Sequence, residues 1–357
     1  MRSTVVTSVE ELADHEDKWE MLRRESGGTV FASYALTRTW LECFRGNTSP
    51  RVILIEKDGE LAGIAPMSYH SYSSKGLPIK VLALAGEVPY RLWLPTTSIM
   101  FKPGRNDVLA RIIKEMDRLD WNTLTAFHLP GTMAVRECLR IAGSTWSTRD
   151  YRPEVNIILT FPEKGDIASI FERKARENLR NRMNKLERER GSIELRKLTP
   201  GMISASVDEY ARQHVERWTP KGGSLFMFSD NVRFLKEVVR RGIEGDYGFA
   251  YDLMVGGEVA AQSMGFYEGD TALPYRFGMN DAFMKYSPGW MLQYLTFSDL
   301  RDRGIRQCSL GVGDEDYKYR MGGKETPLLG IMARRGLVGA IDRIARFIST
   351  PAAGSGR

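Results

Sequence analysis

Apolar residues alternate with polar or small ones on both sides of Asp58-Gly59 through residues 51–66. A period of two interrupted by an Asp-Gly pair predicts a β-hairpin. Residues 249–262 repeat the pattern around Gly256-Gly257, and Gly59-Glu60-Leu61-Ala62 has its match in Gly257-Glu258-Val259-Ala260. The segments after each hairpin are also alike. An extended run at 79–84 precedes a helical period over 107–119 and a strand at 123–128. In the second half an extended run at 271–279 precedes a helical period over 289–303, with Met291, Leu292, Leu295 and Leu300 on its inner stripe, and a strand at 305–310. The chain therefore reads as two copies of one strand-strand-strand-helix-strand module. The expected fold is α/β, with mixed, mostly antiparallel central sheets flanked by helices. We expect a first module over 1–160, a second over 161–335, and an amphipathic segment with a tail over 336–357.

Between the modules, Ile167, Phe171, Ala175, Leu179, Met183 and Leu186 form one stripe at helical spacing, and Gly191 ends it. The opposite face interleaves arginine and lysine with Glu172, Glu177, Glu187 and Glu189 at spacings that pair within a helix, so a solvated structural helix is favoured over an anion-binding surface. Residues 334–348 are amphipathic and basic. That suits packing onto the segment's own domain, with peripheral contact to an anionic membrane as the other reading. The tail at 351–357 reads as disordered.

Composition narrows the class. A chain of 357 residues with 42% apolar and 27% charged residues can bury substantial cores in two domains. No apolar run is long enough to cross a bilayer, and the N-terminus lacks the apolar stretch of a secretion signal, so a cytoplasmic location is expected. Cys43, Cys138 and Cys308 are scattered, without a histidine at metal-ligand spacing; they read as buried small hydrophobes, and no metal is expected. A net charge of +6 favours an anionic partner.

The triplet Ser287-Pro288-Gly289 stands where a helix should follow the third strand of the second module. Serine can cap a helix, proline suits its first position, and glycine bares its own N–H, so this start should attract phosphate. A phosphate-seeking helix start directly after a hairpin and strand is the layout that holds the pyrophosphate of coenzyme A, with the thioester along the preceding strand at Phe277 and Gly278. The expected co-substrate is acetyl-CoA or another acyl-CoA.

Phe31-Ala32-Ser33 with Trp40, Gly63-Ile64-Ala65-Pro66, Asn178-Leu179-Arg180, Ser287-Pro288-Gly289 with Leu292, and Gly313-Asp314-Glu315 before Tyr317-Lys318 occur in an order that resembles the CelD/BcsL family of GNAT-type acetyltransferases. The resemblance implies a double GNAT-like fold whose central strands splay to admit the pantetheine arm, shared more distantly with Fem-type ligases that use aminoacyl-tRNA. The chain departs from the family at Ser309-Leu310-Gly311-Val312-Gly313, where members tend to carry an acidic residue and an aromatic, and its first module has Gly86-Glu87-Val88-Pro89-Tyr90 in place of Ser-Pro-Gly. The second module is the better cofactor site.

Acyl transfer needs a positioned nucleophile, a path for its proton, a donor to the oxyanion and a proton for the thiolate. The resemblance points to Lys318 for the oxyanion and Tyr317 for the sulfur. Glu315 or Asp314 is the candidate base, against the alternative that these acids and the Tyr-Lys pair are rim residues. Arg276 and Tyr275 are neighbours on one strand and face opposite sides, so one should face the cleft and meet the acceptor. Gln262, polar within an apolar strand, either lines that cleft or satisfies backbone groups. Trp218 is a further acceptor-side candidate, and His214 reads as structural. The expected activity is direct N- or O-acyl transfer to a small or cell-envelope, polysaccharide-related acceptor. The alternatives are a Fem-type ligase, the only one that would bring tRNA as a partner, and a non-catalytic scaffold. Oligomeric state is left open.

Overall fold

The computed structural model describes residues 1–340 apart from 47, 75, 131–135, 138–139, 142–145 and 151–153. The chain divides into two compact units, Met1–Pro153 with Leu328–Arg357, and Glu154–Pro327. Cys138 and residues 341–357, with most of the C-terminal amphipathic segment and the tail, lie outside the described residues.

The first unit runs β1 (Arg2–Val6), α1 (Glu16–Glu25), α2 (Tyr34–Phe44), β2 (Ser49–Lys57), β3 (Glu60–Ser74), β4 (Leu77–Leu84), β5 (Met100–Phe101), α3 (Asn106–Arg118), β6 (Thr123–Pro130) and β7 (Ser147–Asp150). The second contains β8 (Glu154–Thr160), α4 (Arg173–Arg190), β9 (Ile193–Lys197), α5 (Ile203–Trp218), α6 (Ser229–Glu244), β10 (Gly248–Val255), β11 (Glu258–Glu268), β12 (Thr271–Met279), α7 (Pro288–Asp302), β13 (Gln307–Val312) and α8 (Asp316–Arg320). A last strand, β14 (Lys324–Arg334), lies in the first unit from Leu328 on.

Both hairpins form as the alternation predicts. Asp58 and Gly59 take φ of 54° and 83°, and Gly256 and Gly257 take 56° and 89°, the paired left-handed turn that matches the right-handed twist of flanking strands. Within the first unit the strand order is β1-β2-β3-β4-β6-β14, antiparallel except for the parallel pair β4–β6. Within the second unit the order is β8-β13-β12-β11-β10-β9, antiparallel except for the parallel pair β12–β13. Each parallel pair encloses one helix, α3 or α7, which is the crossover that parallel strands require.

Strand alternation sends Ile53, Ile55, Ala65, Leu82, Leu84, Leu124 and Ala126 onto the face that α3 covers with Val108, Leu109, Ile112 and Met116. In the second unit Phe249, Tyr251, Ala261 and Ala272 meet Met291, Leu292, Phe297 and Leu300 of α7. The stripe from Ile167 to Leu186 is not one helix. Residues Ile167–Ile170 make a 3₁₀ turn, Phe171 and Glu172 are extended, and α4 starts at Arg173, burying Ala175, Leu179 and Leu186. Gly191 stops it at φ 101°.

Close packing of α3 on β3 leaves no room at Gly63, where an added Cβ would lie 2.5 Å from Val108 Cγ1 and 3.1 Å from Ile112 Cδ1. Gly63→Ala should destabilise by about 1–3 kcal/mol, read as a lower urea midpoint at unchanged slope. An unchanged midpoint would mean that α3 does not seat on β3 this closely.

Candidate functional site

The parallel ladder between β12 and β13 is two rungs long, Thr271 with Gln307 and Ala272 with Cys308. Beyond it the strands keep only their outer partners. β12 stays with β11 as far as Met279 opposite Ala261, while β13 stays with β8 as far as Val312 opposite Asn156. From Leu273 and Ser309 onward, the facing edges therefore carry main-chain groups with no strand between them. An extended chain can hydrogen-bond to such an edge as an extra strand would. A β-bulge on β12 puts Met264 opposite Arg276 and Gly265 opposite Pro274, which leaves Tyr275 unpaired at the bend.

β12 leads through a 3₁₀ turn to α7. Ser287 sits in the left-handed region at φ 58° and ψ 57°, and its side chain makes no cap bond. The expected serine cap is corrected on that ground: the left-handed backbone turns the hydroxyl away from the helix amides, and it instead accepts from Arg182 of α4. Pro288 does occupy the first turn of α7. Gly289 has a packing reason of its own, since a Cβ there would lie 2.8 Å from Met279 Sδ and 3.1 Å from the Phe277 ring. Gly278 faces the other side of β12, where a Cβ would come within 2.7 Å of the Tyr210 ring of α5. Phe277 and Met279 thus seat α7, and Gly278 seats α5. A small hollow of about 60 Å³ opens beside the start of α7, lined by Asn178, Arg182, Ser287, Trp290 and Arg320 among others. A helix start adds its own partial positive charge there.

At the other edge, β13 ends in Gly311, Val312 and Gly313, and α8 brings Lys318 back beneath them. The Lys318 ammonium donates to the carbonyls of Gly311 at 3.1 Å, Val312 at 2.8 Å and Gly313 at 3.2 Å, and lies 2.7 Å from Glu315 Oε2. Lys318 is 2% exposed. An ammonium has three protons, and these partners use them all. Lys318 is thereby corrected from oxyanion donor to a clamp that fixes the irregular end of β13. Burial pushes the Glu315 carboxyl up, but the hydrogen bond and charge of Lys318 outweigh it and hold the group below its ordinary value. A carboxylate so stabilised is a weak base. Tyr317, half-exposed beside the clamp, has its hydroxyl pushed up to about 12, by burial first and then by the Glu315 charge. It keeps its proton at neutral pH.

Arg276 lies over the Tyr275 ring, 4.0 Å from its centroid, and donates from Nη1 to the Tyr275 carbonyl at 2.9 Å. Its Nε and Nη2 are sealed from solvent without a hydrogen-bond partner. The nearby Tyr210 and Tyr275 phenols are both pushed up to about 12 by burial. His214 is lowered, by burial first and then by Arg276 and Arg217, and its Nδ1 pairs with Ser224 Oγ at 2.8 Å. Trp218 stacks on His214 and remains 42% exposed. Gln262 belongs elsewhere. Fully buried, it donates to the Ser206 carbonyl at 2.9 Å, Ser206 Oγ at 2.7 Å and Asp252 Oδ1 at 3.1 Å, and Asp252 in turn holds Arg196 at 2.6 Å. Its assignment to an acceptor is corrected, because α5 covers it. Asp252 stands directly opposite Gln262 in the β10–β11 register, so two polar residues paired across apolar strands were the signal for this network. Arg182 was missed because its role depends on α4 docking near α7, which no spacing along the chain conveys.

The first unit has a parallel pair in the equivalent place. β4 and β6 share three rungs, Val81 with Thr123 through Ala83 with Thr125. There the next amide on the β6 edge, Phe127 N–H, donates to Glu87 Oε1 at 2.7 Å. A side chain thus satisfies an edge amide just past the parallel ladder of the first unit.

Residues 173–319 match the family model of the acetyltransferase (GNAT) domain. That span holds both split strands, α7 and the Lys318 clamp. The chain is similar over 94% of its length to a tandem GNAT protein from the clavulanic acid biosynthesis pathway, covering 99% of that structure at 12% identity and a TM-score of 0.53. It is also similar to a conserved protein of unknown function from Bacteroides thetaiotaomicron, at 12% identity and a TM-score of 0.60 over 93% of this chain and 100% of that one. FemX matches at 13% identity and a TM-score of 0.51, over 96% and 99%. At such identities the likeness is one of fold, a tandem GNAT-like architecture. No curated protein matches the sequence. No group of metal-ligating side chains occurs among the described residues, and none of their helices is long and apolar enough to cross a membrane.

Lys318→Met should cost about 1–3 kcal/mol, the penalty for leaving partly buried carbonyls without their donor. The sign with pH follows from Glu315. Its folded-state pKa is depressed, so the pair's contribution is present above the ordinary carboxylate value of 4.5 and is lost as pH falls through the folded value. The stability gap between wild type and Lys318→Met should therefore narrow on acidification. A gap that widens toward low pH would show that Lys318 does not hold Glu315.

Proposed function

We propose that this chain is an acyltransferase of the CelD/BcsL type, moving an acyl group, acetyl by default, from coenzyme A directly onto the amine or hydroxyl of a small or cell-envelope glycan acceptor. The observation that carries this reading is the two-rung ladder between β12 and β13, followed by the start of α7. The open edge of β12 suits the amides of a pantetheine arm, and the helix start with Arg182, Asn178 and Arg320 suits a pyrophosphate. The donor set fits the chemistry of the carrier. Arg182 spends one donor on the Ser287 hydroxyl, a neutral partner it would exchange for a phosphate oxygen.

In this reading the acceptor's lone pair attacks the thioester carbonyl and the C–S bond breaks. Main-chain N–H groups on the β12 edge stabilise the oxyanion, and Tyr317 protonates the departing sulfur. The acceptor's proton leaves through water, since Glu315 is tied to Lys318. Lys318 is a positioning residue here. Arg276, Tyr275 and Trp218 are the acceptor-side candidates that remain, and the first unit takes no thioester because Glu87 occupies its strand edge.

Arg182→Ala should weaken coenzyme A binding about tenfold in calorimetry, the loss of one charge-assisted contact, while leaving acetyl-pantetheine affinity unchanged. Equal loss for both ligands would place the pyrophosphate elsewhere. Charged tRNA in the same titration distinguishes the Fem-type alternative, and absence of binding by either donor favours the scaffold. Tyr317→Phe should slow thiol release from acetyl-CoA about 100-fold, over a panel of amino sugars, amino acids and polyamines, without changing acetyl-CoA affinity. An unchanged rate would remove Tyr317 from the chemistry.

A further inference from the structure

The second unit leaves large apolar side chains on its surface in one place. Trp218 is 42% exposed, Met227 62%, Phe228 44% and Met284 37%, and of the unit's other large apolar side chains only Tyr317 is exposed to this degree. The four come from two neighbouring turns. Trp218 ends α5, and Met227 and Phe228 close the loop that leads through two short 3₁₀ turns to α6. Met284 stands on the 3₁₀ turn Asp281–Tyr286, between β12 and α7. Arg217 fastens one turn to the other, with Nη1 3.4 Å from Met284 Sδ and 3.5 Å from Asp281 Oδ1. Within the loop the Gly223 N–H donates to the Trp218 carbonyl at 3.0 Å, which folds the chain back on the end of α5. Protein surfaces keep large apolar side chains dispersed, so a group of them marks an interaction site.

Cations rim this patch. The end of α4 packs against the turn, with the Arg190 guanidinium 4.9 Å from the centre of the Phe283 ring and the Tyr286 hydroxyl donating to Glu189 at 2.7 Å. That one carboxylate is shared by Lys185 at 3.9 Å, Arg188 at 4.0 Å and Lys285 at 3.7 Å. On the loop side, residues 217–229 include Arg217 and Lys221 and no acid, and the Lys221 ammonium lies 5.2 Å from the centre of the Trp218 ring. Arg217 is matched by Asp281, and the flanking pairs Arg212 with Glu216 and Arg233 with Asp230 cancel. The excess is positive, with Lys185, Arg188, Arg190, Lys221 and Lys285 set against Glu189 alone.

We propose that this patch docks on the surface of an anionic lipid bilayer, with Trp218, Met227, Phe228 and Met284 entering the headgroup layer and the rim cations meeting lipid phosphates. Tryptophan favours the headgroup level of a bilayer, and lysine and arginine lay their stems on apolar surface while reaching out to charge. Each cation near an anionic leaflet adds to the attraction, so the rim makes the patch prefer such a leaflet over a neutral one. The apolar side chains stand on a helix end, a loop and 3₁₀ turns. They form neither the strand edge nor the helix stripe on which peptides dock, and a fluid lipid surface needs no such template. The rim residues are distinct from Asn178, Arg182 and Arg320, which the acyl-transfer reading gives to the pyrophosphate. The docking surface lies within the second unit and stands whether or not that reading does. Trp218 serves both only if the acceptor is itself held at the bilayer.

Flotation of the full chain with vesicles of dioleoyl phosphatidylcholine, alone or mixed equally with dioleoyl phosphatidylglycerol, tests it. The mixed vesicles should bind about tenfold more tightly or better, and the gain should shrink between about 0.1 M and about 0.5 M NaCl. Met227→Ser with Met284→Ser, and separately Arg188→Glu with Lys285→Glu, should each weaken binding to the mixed vesicles about tenfold or more. These side chains are exposed, and circular dichroism of each variant checks that the fold is kept. Mixed vesicles with brominated acyl chains should quench the tryptophan fluorescence of the wild type, and Trp218→Phe should lose most of that quenching. Equal binding to both vesicles, no binding to either, binding that both double variants retain, or quenching that survives Trp218→Phe would overturn the proposal. Retained binding would assign the contact to the basic segment at 334–348, and no binding would leave the patch to a protein partner.

Discussion

Two parallel strands that pair for two rungs and then part are the constraint on which the rest of the second unit depends. A parallel pair needs a crossover, so α7 must begin near the mouth of the split. The strands must also be held apart without a ladder between them, and each is held from its outer side. β12 is anchored by β11, with a bulge at Tyr275 that bends it. It is further fixed between α7, seated on Phe277 and Met279, and Tyr210, which faces Gly278. β13 is anchored by β8 and by Lys318, whose buried ammonium gathers three successive carbonyls. An irregular strand end would otherwise fray. Preorganised unpaired backbone in a fixed gap is what an extended ligand needs in order to bind without first ordering the protein.

The two units repeat one order of elements and finish it differently. In the first, the parallel strands share one more rung, and the amide that would come next is satisfied by Glu87. Glu87 holds the Phe127 N–H with one carboxylate oxygen, and its second oxygen is covered by protein without a hydrogen-bond partner.

Much of the fold was legible because it rests on short-range signals. The Asp58-Gly59 and Gly256-Gly257 turns each demand left-handed backbone, and strand alternation on either side fixes which residues face the core. The site was legible as a region and not as a set of roles. Ser287, Pro288 and Gly289 do mark the start of α7, but Ser287 does not cap it, because its own backbone is left-handed. Gly289 is small for the sake of Met279 and Phe277, a contact between elements that no local pattern encodes. Lys318 looked reactive from its place after β13; only the folded turn shows its protons consumed by carbonyls. Gln262 was rightly noticed as out of place, yet its partners Ser206 and Asp252 come from a helix and a strand that spacing alone does not bring together.

Hydrogen–deuterium exchange of the whole chain with and without acetyl-CoA tests the central claim most directly. If the gap between the split strands receives the pantetheine arm, amides on β12 from 275 to 279, on β13 from 309 to 312 and in the first turn of α7 should become protected together, with the β4–β6 edge of the first unit unchanged. Tight binding of acetyl-CoA with no protection along β12 and β13 would contradict the account.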